Sequence, residues 1–253
     1  MLCQYLEALW DAGCERNSAG DTISGVQHFL HQRRCFHGAW GLFATWSKTE
    51  LPARAPPLTS HMLLAMCGAS LILNRPDIAA LLTMGFHCML RTEEMLSAKW
   101  QCIIVDACDK GAIALPLTKS GQIHGAQEVV TIDDPVVGRT LRKVAALYGR
   151  STGPILTCTR TDFRTVFDTL IRMLNLSHLK LRPYSVRRGG ATHDYGTHGD
   201  IARSVWRGRW ADSRTARIYV TDGLARQIQH SLSQPQQARI AECSQHFMCW
   251  LNG

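Results

Sequence analysis

The sequence predicts a mainly helical α+β protein with one small antiparallel sheet. Apolar residues recur at helical spacing over most of the chain, three short strand-like runs lie close together, and a proline-rich stretch separates a short first part from the rest. The predicted order is helices, a small sheet, and then helices again. That order is typical of an α+β protein rather than of a repeating βαβ fold.

Residues 1–50 are predicted to form a short helical domain. Asp21 is a candidate N-cap for its second helix. In its third helix Trp40, Phe43 and Trp46 recur at helical spacing, which favours a packing stripe over a set of base-stacking side chains. The predicted helices cover residues 1–13, 22–33 and 39–48.

A linker is predicted at residues 51–58, because three prolines in six residues cannot continue a helix. A larger domain follows over residues 59–226, and residues 227–253 are expected to be a C-terminal tail that docks on this or a neighbouring subunit. Strands are predicted at residues 100–105, 112–117 and 128–132. Helices are predicted at residues 59–73, 76–87, 135–148, 162–174, 185–195, 200–206 and 213–219.

The charge of the chain indicates an anionic partner. Its formal net charge is +8, and residues 139–226 contain 17 Lys and Arg against 6 Asp and Glu. A hydrophobic content of 45% is enough for a real core, which excludes wholesale disorder. The second half of the chain is therefore expected to build a basic surface or cleft.

Membrane and secretory classes are not supported by the sequence. The longest apolar run, residues 62–73, is too short to cross a bilayer, and the acidic N-terminus lacks the basic start of a signal peptide. The ten cysteines include no CxxC pair, so we expect reduced thiols rather than a zinc ribbon. We expect an intracellular protein, which would be nuclear if its source is eukaryotic.

The segment HFLHQRRCFH, residues 28–37, contains three histidines and one cysteine. No second ligand pair accompanies it elsewhere, so we predict neither a metal site nor a cofactor. A basic and aromatic helix that contacts DNA through Arg33 and Arg34 is favoured, with an ordinary surface helix end as the alternative.

Four later segments carry residues suited to chemistry on a phosphodiester. The planar guanidinium of arginine can bind two oxygens of one phosphate. A tyrosine hydroxyl becomes a nucleophile only beside positive charge or a base. The segments are MLRTEEMLSAKW (residues 89–100), LPLTKSGQ (115–122), LRPYSVRRGGAT (181–192) and GRWADSRTARIYV (208–220).

In this order the segments resemble the tyrosine recombinase, or phage integrase, family over about residues 55–222. LRTEEM resembles its first arginine segment, TKSG its β-hairpin lysine segment, YSVRRGGAT its His-x-x-Arg segment, and GRW with IY its Gly-His and tyrosine ending. RRGGAT and GRW are most similar to recombinase-like proteins of eukaryotic mobile elements. The resemblance implies a tyrosine-recombinase-like catalytic domain, preceded in residues 1–50 by an incomplete core-binding-like domain. It also implies double-stranded DNA as partner, no cofactor, and self-assembly on DNA as dimers or tetramers.

The resemblance also implies roles for individual residues. Arg91 and Arg187 would clamp the scissile phosphate, and Lys119 would protonate the leaving 5′ oxygen. Tyr219 would attack the phosphorus and form a 3′-phosphotyrosyl bond, while Glu94 would orient the first arginine segment. Without the resemblance, the same residues are an ordinary helix ion pair, a solvated turn lysine, a basic face and a packing tyrosine.

The chain departs from the family pattern at two positions. Tyr184 stands where the family usually has histidine, and Arg209 where it usually has histidine or tryptophan. Neither replacement is a good acid or base at neutral pH. Arg188 is a second candidate for the clamp or a DNA contact. We therefore keep two alternatives to an active recombinase: a degenerate mobile-element relic that only binds DNA, and a type IB topoisomerase-like enzyme.

Overall fold

The structure is a computed structural model that describes residues 1–31, 36–49, 54–115, 128–149 and 152–253. Its contacts divide the chain into two compact units, Met1–Arg54 and Ala55–Gly253. As predicted, helices dominate and the described strands form one small antiparallel sheet.

The first unit contains three described helices around a small core of its own. Trp46 is buried, and Trp40 and Phe43 pack against the same core with their ring centroids 5.6 Å apart, so the aromatic stripe is a packing feature. The helices are α1 (Leu2–Asp11), α2 (Arg16–Phe29) and α3 (His37–Thr49).

The predicted start of the second helix is wrong. Glu15 is the N-cap of α2, and Asp21 lies inside the helix on its exposed side. The residues before Asp21 are polar and show no apolar periodicity, but Ala19 packs in the core one turn before Ile23. The small side chain of Ala19 is a weak periodicity signal, which explains why the sequence places the start too late.

The second unit is built on two almost fully buried helices, α4 (Ser60–Ile72) and α5 (Pro76–His87). Thr59 caps α4, since its hydroxyl accepts a hydrogen bond from the backbone N–H of Met62 at 3.3 Å. The remaining helices among the described residues of this unit are α6 (Thr92–Leu96), α7 (Pro135–Tyr148), α8 (Arg160–Met173), α9 (Pro183–His198), α10 (Ile201–Gly208), α11 (Ser213–Tyr219), α12 (Asp222–Ser231) and α13 (Gln234–Asn252).

The sheet has the order β1–β2–β3 and both pairings are antiparallel. Its strands are β1 (Ile103–Val105), β2 (Gly111–Leu115) and β3 (Glu128–Ile132), close to the predicted ranges. Residues 100–102, which the sequence assigns to the first strand, form a turn of 3₁₀ helix instead. Ile113 pairs with both Ile103 and Val130, and this face of the sheet packs on the core.

The C-terminal residues 227–253, expected as a tail, belong to helices α12 and α13 of the second unit. Phe247 and Leu251 are buried and join the core of this unit. α13 lies so close to α4 that a Cβ atom built on Gly68 would be 1.8 Å from the carbonyl oxygen of Cys243. Only glycine allows the two backbones to approach in this way.

Within the described part of the chain, no helix is both long enough and apolar enough to span a membrane.

The contact at Gly68 generates a prediction about stability. Gly68→Ala should lower the free energy of unfolding by about 2 kcal/mol or more, because the new methyl group would clash with backbone that cannot move independently. Urea unfolding followed by circular dichroism measures this change. Gly223→Ala is the matched control, since a Cβ atom there would meet nothing within 4 Å from other described parts of the chain. Equal effects of the two substitutions would contradict the close packing of α13 on α4.

Candidate active site

The first arginine segment lies where the chain turns from α5 into α6. Met89 has a left-handed backbone with φ 47°, and Arg91 is the N-cap residue of α6. The carboxylate of Glu94 accepts hydrogen bonds from the backbone N–H of Arg91 at 2.8 Å and from its guanidinium at 2.6 Å. Glu94 therefore fixes both the backbone and the side chain of Arg91, as the expected orienting residue would.

Arg187 is the most deeply buried charged residue of the site, with 2% of its surface exposed. Two glycines that follow Arg187 in the chain allow α9 to pack directly against the backbone of neighbouring segments. A Cβ atom on Gly189 would lie 2.0 Å from the carbonyl oxygen of Leu58, and one on Gly190 would lie 2.0 Å from that of Phe86. The RRGG sequence thus carries a guanidinium into the interior because its glycines permit backbone contact.

Two backbone carbonyls and two aromatic rings hold the Arg187 guanidinium. Its Nη1 donates to the carbonyl of Met89, and its Nη2 donates to the carbonyl of Gly208 at 2.6 Å. Its Cζ lies 5.1 Å from the ring centroid of Trp210 and 5.6 Å from that of Tyr219, which places the cation against both π-systems. The ring centroids of Trp210 and Tyr219 are themselves 4.6 Å apart.

Arg209 ends α10 in a left-handed conformation with φ 55°. Its Nη2 is 2.5 Å from Glu94 Oε2, and its Nε is 3.6 Å from Glu128 at the start of β3. Glu94 thereby bridges Arg91 and Arg209 with its two oxygens. Burial of its carboxyl opposes ionisation, but Arg209 and then Arg91 outweigh it, so the pKa of Glu94 lies below its usual value.

Tyr219 is the last residue of α11, and α9 fixes its backbone. The hydroxyl of Thr192 donates to the carbonyl of Tyr219 at 3.2 Å. Nη2 of Arg188 donates to the carbonyl of Ile218, one residue earlier, at 3.2 Å. Arg188 is only 3% exposed, so its side chain lies in the interior beside the tyrosine backbone.

The hydroxyl of Tyr219 is easier to ionise than an ordinary phenol. Burial raises the pKa of Tyr219, but a hydrogen bond from Tyr184 and the charge of Arg187 lower it by more. The pKa of Tyr219 therefore lies below that of an ordinary phenol. Burial and the same hydrogen bond raise the pKa of Tyr184. The two ring centroids are 5.8 Å apart. Tyr184 thus stays protonated and donates, while Tyr219 is the phenol that ionises.

Two described cationic side chains of the site have N–H groups without a hydrogen-bond partner. Burial, followed by the charges of Arg209 and Arg91, lowers the pKa of Arg187 to about 10, so it remains a cation at neutral pH. Among the described residues, Nε of Arg187 and Nη1 of Arg209 are buried and have no hydrogen-bond partner. Donors of this kind are suited to the oxygens of an anion, and phosphate offers the matching geometry.

Five of the predicted site residues meet around this point: Arg91, Tyr184, Arg187, Arg209 and Tyr219. Three others, Lys119, Arg33 and Arg34, lie outside the described residues. Trp210 is not among the predicted site residues, although its ring packs against both Arg187 and Tyr219. The GRW sequence beside Arg209 was the available signal for it.

Known proteins support the fold but not a closer relationship. No protein-family model and no curated protein matches the sequence. Two solved structures of the XerH site-specific recombinase bound to difH DNA are similar, in the post-cleavage complex with a TM-score of 0.53 at 16% identity and in the pre-cleavage complex with 0.52 at 17%. The XerA recombinase is similar with a TM-score of 0.52 at 14% identity. The chain has a tyrosine recombinase fold.

The extent of the match differs between these recombinases. The post-cleavage XerH alignment covers 70% of this chain and 52% of XerH, and the pre-cleavage one covers 67% and 50%. The chain therefore spans about half the length of the XerH structures. The XerA alignment covers 92% of this chain and 98% of XerA.

The bridging position of Glu94 generates the second prediction. Glu94→Gln should lower the free energy of unfolding at pH 7 by about 2 kcal/mol, because a neutral amide replaces a buried carboxylate bonded to two guanidinium groups. The folded-state pKa of Glu94 is depressed, so this stabilisation is complete above about pH 4.3 and is lost as the pH falls through the folded-state pKa.

Chemical denaturation of both proteins between pH 7 and pH 3 measures the difference. The curves of wild type and variant should converge at the acidic end. Glu93→Gln is the control on the same helix, because Glu93 is exposed and pairs with the equally exposed Arg160. A stability difference that stays constant down to pH 3 would contradict the role of the Glu94 charge.

Proposed function

We propose that this protein is a tyrosine-type DNA strand transferase that cleaves and rejoins double-stranded DNA for recombination or integration. The observation that carries the proposal is the position of Tyr219: a phenol with a lowered pKa lies against the buried guanidinium of Arg187 in the same chain. Positive charge at a phenol both favours its ionisation and stabilises the charge that develops on an attacked phosphate.

In the proposed reaction the Tyr219 hydroxyl oxygen attacks the phosphorus of a DNA phosphodiester. The bond from phosphorus to the 5′ oxygen breaks, and a 3′-phosphotyrosyl bond forms. Arg91 and Arg187 would stabilise the charge on the non-bridging oxygens. Attack of a 5′ hydroxyl on the phosphotyrosine reverses the step and restores Tyr219. The phosphodiester energy stays in the covalent intermediate, so neither ATP nor a metal is required by this chemistry.

Proton transfer distinguishes the active enzyme from its alternative. Tyr184 is held protonated, and Arg209 is a cation engaged by Glu94, so neither accepts the proton of Tyr219. In our proposal that proton leaves to water, and Lys119 protonates the leaving 5′ oxygen. The same observations favour a second candidate function: a relic of a mobile element that binds DNA and does not cleave it.

The partner and the origin of the protein are also part of the proposal. The XerH structures hold DNA substrates before and after cleavage, and by analogy we propose double-stranded DNA as the partner here. The excess of cations in residues 139–226 suits binding through backbone phosphates. RRGGAT and GRW suggest the integrase of a eukaryotic mobile element. Such a protein would act in the nucleus. From the family resemblance we also propose that it assembles as dimers or tetramers on its DNA site.

The third prediction tests the nucleophile. On a nicked suicide substrate, wild-type protein should form a covalent adduct, visible as a protein–DNA band that survives denaturing electrophoresis. Tyr219→Phe should abolish the adduct and leave salt-dependent DNA affinity unchanged, because the ring that packs against Trp210 is kept. Tyr195→Phe, a change on α9, is the matched control and should react like wild type.

Different results separate the alternatives. Salt-sensitive DNA binding without an adduct at any pH would replace the enzyme with the DNA-binding relic. Relaxation of supercoiled DNA without site preference would favour a type IB topoisomerase-like activity. An adduct that persists in Tyr219→Phe would refute the proposed nucleophile.

The fourth prediction concerns the origin of the tyrosine in an assembled complex. Tyr219 packs against Arg187 of its own chain, and α9 of that chain holds its backbone, so one subunit supplies both the phenol and the buried guanidinium. A mixture of Tyr219→Phe and Arg187→Ala proteins should therefore show no more cleavage than either variant alone. Restoration of cleavage in the mixture would mean that a neighbouring subunit supplies the tyrosine.

A further inference from the structure

A second cluster of charged residues adjoins the site at the end of α10 and includes none of the residues assigned to cleavage. Arg207 on α10 is at its centre, and its side chain is 11% exposed. Its Nη2 donates to the carbonyl of His87 at 2.8 Å, its Nη1 pairs with Asp133, and its Nε lies 3.4 Å from Asp194 Oδ1. One largely buried cation therefore joins α10 to the end of α5, to the segment after β3, and to α9.

Asp194 is the anionic centre of the same cluster. Its side chain is 8% exposed, and its second oxygen accepts a hydrogen bond from the hydroxyl of Ser204 at 2.8 Å. Nε of Arg203 lies 3.3 Å from Oδ1 of Asp194. Nδ1 of His198, one turn later on α9, lies 3.6 Å from the same oxygen. The carboxylate is thus satisfied from α10 and from its own helix, α9.

The cluster lies directly beside two contacts of the proposed active site. Arg207 precedes Gly208, whose carbonyl binds Arg187, and Arg209, whose guanidinium binds Glu94. Arg209 also has a left-handed backbone, which is unfavourable for a residue other than glycine. A Cβ atom on Gly208 would lie 2.0 Å from the Trp210 ring, so the turn is closely packed. This end of α10 must therefore be held in place if Arg187 and Arg209 are to keep their orientation in the site.

We propose that Arg207 and Asp194 are positioning residues, which lock the end of α10 against α5 and α9 and thereby set the carbonyl of Gly208 and the side chain of Arg209 in the site. This inference rests on the proposed function of that site. The contacts of the two residues described above include neither the phenol nor the phosphate-binding donors, so they act through the backbone of residues 208 and 209.

Stability alone does not account for such a network. A buried ion pair gains little over a well-packed apolar pair, because the cost of removing both charges from water offsets their attraction. An apolar pair, however, has no directional contacts. It could not donate hydrogen bonds to the carbonyl of His87 and to Asp133 and also pair by charge with Asp194. The guanidinium of Arg207 has the planar set of donors that this geometry needs. The network therefore contributes orientation rather than net stability.

The test compares a double variant, in which Arg207→Met and Asp194→Leu are combined, with the control variant Arg203→Met. The control loses a more exposed partner of the same carboxylate. All variants are made in the full chain. Three quantities are measured: the single-turnover rate of adduct formation, the Kd for DNA, and the pKa of Tyr219 from NMR titration of its ¹³Cζ resonance without DNA. The pKa does not depend on catalysis.

In the double variant we expect the single-turnover rate to fall on the order of a hundredfold while the Kd for DNA stays unchanged, because misplacement of about 1 Å has such an effect on an oriented reaction. The pKa of Tyr219 should move towards that of an ordinary phenol, since Arg187 loses its fixed carbonyl. Arg207→Lys should give intermediate values, because an ammonium cannot bridge the same acceptors. Arg203→Met should match wild type.

An unchanged pKa of Tyr219 in the folded double variant would overturn the inference, as would an equal effect of Arg203→Met. If the double variant does not fold, Arg207→Lys decides in the same way, and wild-type values for its Tyr219 pKa and rate would overturn the inference. If wild-type protein forms no adduct, the proposed function fails, and the titration still shows whether the network positions the site.

Discussion

The arrangement of the site depends on one buried cation, the guanidinium of Arg187. A charge in the interior is costly unless dipoles and hydrogen-bond acceptors replace its hydration. Here the carbonyls of Met89 and Gly208 accept from it, and the rings of Trp210 and Tyr219 face it. These groups come from two of the motif segments, residues 89–100 and 208–220, and Arg187 comes from a third, residues 181–192. Burial of one guanidinium therefore requires three separate motifs to meet at one point.

The backbone conformations around the site follow from this constraint. The left-handed residue Met89 turns the chain after α5, and its carbonyl is one of the two that face Arg187. Gly189 and Gly190 let α9 approach neighbouring backbone closely enough for Arg187 to reach that depth. Glu94 then balances the two remaining arginines of the cluster, because like charges so close together need a shared counter-ion.

Sequence reasoning could predict the elements and the participants, but not the contacts. The mainly helical α+β class and the positions of the strands follow from periodicity, and the five convergent site residues follow from the resemblance of short motifs. The early start of α2 escapes prediction because Ala19 is a weak apolar signal. The interior position of Arg188 escapes it because no local pattern shows that both of two adjacent arginines are buried and donate to backbone carbonyls. The ionic cluster around Arg207 joins residues up to 120 positions apart, which spacing within a motif cannot reveal.

Arg209 stands where the resemblance leads us to expect histidine or tryptophan, and this has a consequence for the whole cluster. A neutral side chain at this point would leave Glu94 to pair with Arg91 alone, whereas a second guanidinium takes the other carboxylate oxygen. The site then gains positive charge but lacks a group there that can accept a proton. The lowered pKa of Tyr219 compensates in part, because a phenol that ionises more readily depends less on a base. In this arrangement Tyr184 supplies a hydrogen bond to the oxygen that carries the charge, which is a role a phenol can fill without titrating near neutral pH.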